Sequence, residues 1–254
     1  MISFPLAPER GARLLLQAYK NVRHLRKSRE TALHVTADKH VALIQKVVQA
    51  AFDAGRKVGA KSAPSTVKKA LIESLPPILL AALEDCGNTA LDMLPQRRAA
   101  KEPSKRSFVK LKMRFDASNP DAADWAREHA LELADDISET SAERIKEAIA
   151  IEQETGEDAY DEILDAIGDE SRAEMIARTE AMDAANEGLA QGWSQAVEEG
   201  LLTGDEKKVW IAAGDPCPEC EEVDGEEVLM DEDFSVGDDP PLHPNCRCTM
   251  GLTS

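Results

Sequence analysis

Cys217-Pro218-Glu219-Cys220, answered further along by His243-Pro244-Asn245-Cys246-Arg247-Cys248, holds four of the five cysteines of a 254-residue chain. A Cys-x-x-Cys pair on a tight turn presents two thiolates to one ion. A second knuckle with a Cys-x-Cys and a histidine can close the tetrahedron that Zn²⁺ prefers. Five candidates, Cys217, Cys220, His243, Cys246 and Cys248, compete for four positions. The favoured set is Cys217, Cys220, Cys248 and either Cys246 or His243. Four protein ligands leave no open position for water or substrate, so Zn²⁺ here is expected to be structural, not catalytic. Disulfides or free thiols are the competing readings. Disulfides need an oxidising compartment, and Met1–Pro8 leads into arginines without the apolar core of a signal peptide.

Working outward, Val209-Trp210-Ile211-Ala212 has the composition of a strand leading into Gly214-Asp215-Pro216 and the first knuckle. Gly225-Glu226-Glu227-Val228-Leu229 reads as a strand returning from it, and the acidic loop Asp231–Asp239 with Pro240-Pro241 delivers the second knuckle. An element this poor in apolar residues, spanning 209–250, is expected to need metal to fold.

Upstream the pattern is helical. Asn119-Pro120-Asp121 offers a turn and cap for a helix with Trp125, His129, Leu133 and Ile137 on one face. Thr140-Ser141-Ala142-Glu143 has the form of a capping box and predicts the start of another helix, with Ile145, Ala148 and Ile149 inward. Gly156 separates this from a short helix carrying Ile163, Leu164 and Ile167. Asp169 then begins a long helix that Gly200 stops.

The first 107 residues read as a basic helical domain. One helix carries Leu14, Leu15, Tyr19, Val22 and Leu25. A second runs from about Asp38 to Val58 with Val41, Ile44, Val47, Val48, Ala51 and Phe52 as its stripe and Gly59 as its stop. Pro64-Ser65-Thr66 caps a third, and Pro76-Pro77 breaks it before another from Ile78 to Leu94. Residues 95–107 have linker composition, after which Val109, Leu111, Met113 and Phe115 alternate with cations as a strand would. His24, His34 and His40 lack ligand-spaced neighbours, and the lone Cys86 reads as a small buried hydrophobe. The fold class is therefore α+β, predominantly α-helical, with a small C-terminal β-rich zinc-knuckle element, divided as 1–107 and 108–254.

Charge follows the same division. Residues 1–115 carry 22 Lys plus Arg against 9 Asp plus Glu, and residues 116–254 carry 8 against 39, within a total of −18. The basic part suits double-stranded DNA or an acidic protein surface, and the acidic part repels phosphate. The longest apolar run, Ile78–Leu83, is too short to span a bilayer, so no membrane partner is expected. No basic DNA-reading motif, base-stacking aromatics in the basic stretches, Ser-His-Asp set, phosphate loop or His-Glu-x-x-His stands in the sequence.

Several features recur in a recognisable order. They are Trp125, the helical Ile176-Ala177-Arg178-Thr179-Glu180, then Ala184-Ala185-Asn186-Glu187-Gly188, Trp210, Asp215, Cys220, Gly225 and the closing Pro240-Pro241-Leu242-His243-Pro244-Asn245-Cys246-Arg247-Cys248. Over about Asn119 to Met250 this resembles the phage head morphogenesis family named after the phage Mu F protein. The resemblance implies a minor capsid protein of a tailed phage or prophage. Such a protein acts in the host cytoplasm during assembly and then in the capsid interior of the virion, beside the portal, major capsid or scaffold protein and the packaged DNA. Where family members often carry an Arg two residues after the Asp before the first knuckle, this chain has Cys217. Arg178 and Glu180 point in different directions on their helix, so a structural role is expected, with Arg178 tied to the knuckle through Asp215 or Glu219. A non-enzymatic virion component is the expected function. A zinc-dependent nucleic-acid regulator and the carrier domain of a phage-derived effector or toxin are the alternatives.

Overall fold

The computed structural model describes residues 8–94 and 113–253, with the side chains of the first helix from residue 32 onward. That helix, α1 (Pro8–Val58), is a single element where the sequence suggests two. Thr31 to Ala37 contains neither glycine nor proline, and Leu33, Ala37, Ile44, Val48, Ala51 and Phe52 are buried along one stripe, so nothing interrupts the 3.6-residue period. Gly59, at φ 80°, ends it in the left-handed region that favours glycine. Helix α2 (Ala63–Ser74) follows with Pro64 in its first turn, and Pro76 and Pro77 open α3 (Pro76–Met93).

The expected linker at 95–107 and residues 108–112 of the expected strand lie outside the described residues. The described remainder, 113–116, is irregular chain rather than strand. Phe115 is buried against Gly87 of α3, its amide donates to Asn88 Oδ1 at 3.0 Å, and the Asp116 amide donates to Gln195 Oε1 at 3.0 Å. These backbone groups are thus satisfied by helix side chains instead of a neighbouring strand.

Helix α4 (Pro120–Thr155) is capped by Asn119, whose side chain accepts from the Asp121 amide at 3.1 Å. It runs straight through the expected start at Thr140. Ala122, Ala126, Ala130, Ala134, Ile137, Ser141, Ile145 and Ala148 form one unbroken buried stripe, so the helix continues past Thr140, the expected cap. The buried Ser141 hydroxyl receives Arg172 Nη1 at 3.0 Å, a tertiary contact that holds this turn in mid-helix. Gly156 terminates α4, α5 (Tyr160–Ile167) follows, and Asp169 caps α6 (Glu170–Glu198) by accepting from the Arg172 amide at 2.7 Å.

Helix α6 is the centre of the molecule and packs chiefly on α3 and α1. Its buried face is mostly alanine and glycine, which lets backbones approach closely. A Cβ on Gly188 would stand 2.6 Å from the Leu83 carbonyl oxygen, and one on Gly192 would stand 3.1 Å from that of Gly87. Residues from both charge-distinct parts of the chain enter one apolar core, from Leu33 through Leu83 and Leu189 to Met250.

The chain then forms a small antiparallel sheet in the order β2, β1, β3. Strand β1 (Lys207–Ile211) pairs with β2 (Glu227–Leu229) on one side and β3 (Thr249–Thr253) on the other. A one-turn helix, α7 (Pro218–Glu222), carries the first cysteine pair. The sequence anticipates the first two strands but not β3, which contains a central glycine and only two large apolar residues. No helix among the described residues is long and apolar enough to cross a membrane.

Candidate metal centre

The cysteine cluster is held between α6 and the sheet by backbone and amide contacts. Cys217 caps α7, its sulfur accepting from the Cys220 amide at 3.4 Å, so Pro218 and the turn fix the spacing of the first pair. The second group sits on the loop that enters β3. There Asn245 adopts φ 60°, a conformation asparagine tolerates, and its amide donates to Thr179 Oγ1 of α6 at 3.0 Å. Asn186, also on α6 and 1% exposed, binds the chain just after the cysteines. Its Nδ2 donates to the Cys248 carbonyl at 3.2 Å, while its Oδ1 accepts from the Thr249 hydroxyl at 2.8 Å and the Met250 amide at 3.3 Å. His34 of α1 lies 2.9 Å from the Arg247 carbonyl oxygen, and Arg247 pairs with Asp215 across the two knuckles.

The five donors come together as two triads that share Cys220. Cys217, Cys220 and His243 form one, and Cys220, Cys246 and Cys248 form the other, each with its ligand atoms within 4.8 Å of one another. His243 Nε2 lies 3.2 Å from Cys217 Sγ and 3.5 Å from Cys220 Sγ, and the Cys220 and Cys246 sulfurs are 3.8 Å apart. Sulfurs bound at about 2.3 Å around tetrahedral Zn²⁺ sit about 3.8 Å from each other, so the spacing and the donor types both suit that ion. Cys220 stands at the junction of the two triads, the one donor common to both. Cys220, Cys246 and Cys248 are buried, whereas Cys217 and His243 are partly exposed.

The thiols do not behave alike. Hydrogen bonding with Cys248 pulls the Cys246 thiol down to about 5 and pushes Cys248 up, burial raises Cys220 to about 12, and the Cys220 amide lowers Cys217. Crowded like donors cannot all ionise together, and a divalent cation resolves the conflict by taking each as an anion. His243 is raised, first by its hydrogen bond to the Pro244 carbonyl. Cys86 stands apart as expected, fully buried in the helical core and pushed up to about 12 by burial and Asp85.

An open cleft of about 760 Å³ faces the cluster, lined by His34, Glu174, Arg178, Asp215, His243 and Arg247 among others. Arg178 does not make the expected tie to Asp215 or Glu219. It pairs with Glu174 one turn back on its own helix at 2.5 Å, and Arg247 takes Asp215. The next position but one on the helix turns inward. Glu180 is 7% exposed, and its Oε2 sits 2.6 Å from His129 Nε2 of α4. The pairing was hidden from the sequence because its partners are 51 residues apart. The bridging roles of Asn186, Thr179 and His34 were equally hidden. Two of these, Thr179 and Asn186, stand in the motif string, but only the fold shows what they hold.

Residues 134–251 match the family described as Phage Mu protein F like protein. The matched span begins inside α4 and ends in β3, so it contains α5, α6, β1, α7, β2 and all five candidate donors. No curated protein and no solved structure matches the chain.

Proposed function

We propose that this chain is a minor head protein of a tailed phage or prophage, non-enzymatic, acting in head assembly and residing inside the capsid. The observation that carries the reading is the Mu F-like match over residues 134–251, a span that takes in α6 and all five donors of the cysteine-bearing sheet. Within that span, Thr179 and Asn186 of the first motif string bind Asn245, Cys248, Thr249 and Met250 of the last. The helical and the closing motifs are therefore tied to each other in the fold.

In this reading a structural Zn²⁺ is held by Cys220 with three of Cys217, His243, Cys246 and Cys248. The ion closes the sheet onto α6 and leaves no coordination position for substrate. Helix α7 and the turn after it then offer an acidic surface, with Glu219, Glu221, Glu222 and Asp224 exposed, which suits a basic protein partner and disfavours DNA at that face. The basic residues 1–115 are the natural contact for the portal, the scaffold or packaged DNA.

Co-purification of the full chain with the portal protein of the same phage tests this. Recovery of the complex after nuclease treatment is the expected result. Loss of all association after nuclease, together with a DNA affinity that falls steeply with salt, would replace the portal role with a DNA-binding one.

A further inference from the structure

We propose that His129, Glu180 and Asp183 form a second, sulfur-free site for a divalent first-row cation of the Mn²⁺ type, set between α4 and α6. His129 Nε2 lies 2.6 Å from Glu180 Oε2 and 3.3 Å from Asp183 Oδ2, and the three ligand atoms fall within 4.8 Å of one another. Oxygen and nitrogen donors about 2.1 Å from an ion stand about 3 Å apart at right angles, so displacements of a few tenths of an ångström to about an ångström seat one. The Trp125 ring stacks on the imidazole, with centroids 4.7 Å apart and planes inclined by 10°, which fixes the ring that presents Nε2 to the carboxylates. The Glu180 side chain is 9% exposed and that of Asp183 34%, leaving one open side through which an ion and its waters can enter.

Charge points the same way. Glu180, Asp183 and Glu187 recur at three- and four-residue spacing along α6, and Glu132 adds its charge to His129 from α4. One protonated imidazole balances one carboxylate, which leaves the group short of positive charge in a half-buried setting. A divalent ion that displaces the imidazole proton to solvent meets the deficit with the donor set already in place. One imidazole and two carboxylates favour Mn²⁺, Fe²⁺ or Zn²⁺ bound through oxygen and nitrogen, a chemistry distinct from the thiol cluster.

Position gives the site a consequence. Helix α4 packs against α2, α3 and α5, and it reaches α6 by side chains at His129 and at the Ser141–Arg172 contact. An ion at His129 clamps the two helices one residue away from Thr179, which holds the second cysteine loop. The second site thus stiffens the helix on which the first is mounted.

Titration of the full chain with Mn²⁺, followed through the free-ion electron paramagnetic resonance signal, tests the proposal. Mn²⁺ prefers oxygen and nitrogen donors and avoids competition with the thiols. The expected result is one Mn²⁺ bound per chain, with affinity reduced at least about tenfold in His129→Gln and in Asp183→Asn. Pulsed spectra of the bound ion should show an imidazole nitrogen coupling that disappears in His129→Gln. Asp183→Asn alters a partly exposed side chain, so it tests the site even if His129→Gln does not fold. No binding at millimolar Mn²⁺, or equal affinity in wild type and Asp183→Asn, overturns it.

Discussion

The helical body and the C-terminal sheet are stabilised by different means. In the body, α1, α3, α4 and α6 bury continuous stripes of Ala, Leu, Ile and Val, and Gly188 and Gly192 let α6 approach α3 almost backbone to backbone. Apolar burial, at about 25 cal/mol per Å², is the main stabilising term for such an assembly. The sheet has strands of five, three and five residues and one large aromatic pair, Trp210 with Phe234 at 5.2 Å. Its central strand even buries Lys208, whose amine pairs with Asp239 at 2.7 Å. Trp210, Val223, Phe234 and Met250 join the core of the body, and Asn186 adds polar ties to the loop that enters β3. In the proposed reading the thiol and imidazole donors add an ion to these contacts.

The difference breaks most sharply under chelation. Removing the ion with a strong chelator under reducing conditions should abolish amide protection across residues 207–253 and leave that of α3 and α6 largely intact. This follows because the binding free energy of a structural ion is folding free energy for the element it closes. Uniform loss of protection throughout the chain would mean that body and sheet are not separable in this way.

Asn186→Ala comes next. It strands the Cys248 carbonyl, the Thr249 hydroxyl and the Met250 amide, all buried or nearly so, and should cost about 2–4 kcal/mol in denaturant unfolding. A change under about 0.5 kcal/mol would show that water replaces the amide and that the bridge is incidental.

Gly188→Ala probes the body instead. The added methyl meets the Leu83 carbonyl at 2.6 Å and should cost about 1–3 kcal/mol by overpacking, with donor geometry at the knuckle unchanged. An unaltered denaturation midpoint would contradict the close backbone contact of α3 and α6.

A smaller, pH-dependent effect is expected at His129 in chelator-treated protein. Burial lowers its pKa, but the bond to Glu180 and the charges of Glu180, Asp183 and Glu132 win and raise it from about 6.5 to about 9. The ion pair's stability is complete below about pH 6.5 and is lost as pH rises through about 9. Asp183, raised from 3.8 to about 7 chiefly by burial, also loses stability as pH rises, but its window closes at about pH 7, below that of His129. Between pH 7 and 9 wild type should lose about 1–2 kcal/mol relative to His129→Gln. A difference between the two that stays flat over this range would count against the pairing. Smallest of all, Arg178→Ala removes an exposed i,i+4 pair with Glu174 and should shift stability by no more than about 0.5 kcal/mol.

Most of the helical body was legible in the sequence because apolar periodicity and glycine stops act locally. Ile44, Val48, Ala51 and Phe52, the glycines at 59, 156 and 200, and the Asp169 cap all stand where the pattern placed them. The pattern misled where a tertiary partner outweighed a local signal. Thr140 resembles a cap, but the buried stripe of α4 runs on through Ser141, Ile145 and Ala148, and Met113 to Phe115 resemble a strand until Asn88 and Gln195 take the backbone. Strand β3 was missed because Thr249-Met250-Gly251-Leu252-Thr253 is too short and too glycine-broken to signal itself, and it exists by pairing with β1 along its full length. The five candidate donors were visible as chemistry, but the shared position of Cys220 and the hold of Asn186 on the loop needed coordinates. The Arg178 tie was expected at the knuckle and is met within its own helix, since a residue one turn away outcompetes one that must be brought by the fold.

Zinc content per chain, measured by elemental mass spectrometry on wild type and Cys220→Ser purified under reducing conditions, decides whether an ion closes the sheet onto α6. One zinc per wild-type chain, absent from Cys220→Ser along with ordered structure in 207–253, is the predicted result. A wild-type protein free of zinc whose C-terminal sheet is nonetheless fully protected from exchange would contradict the account.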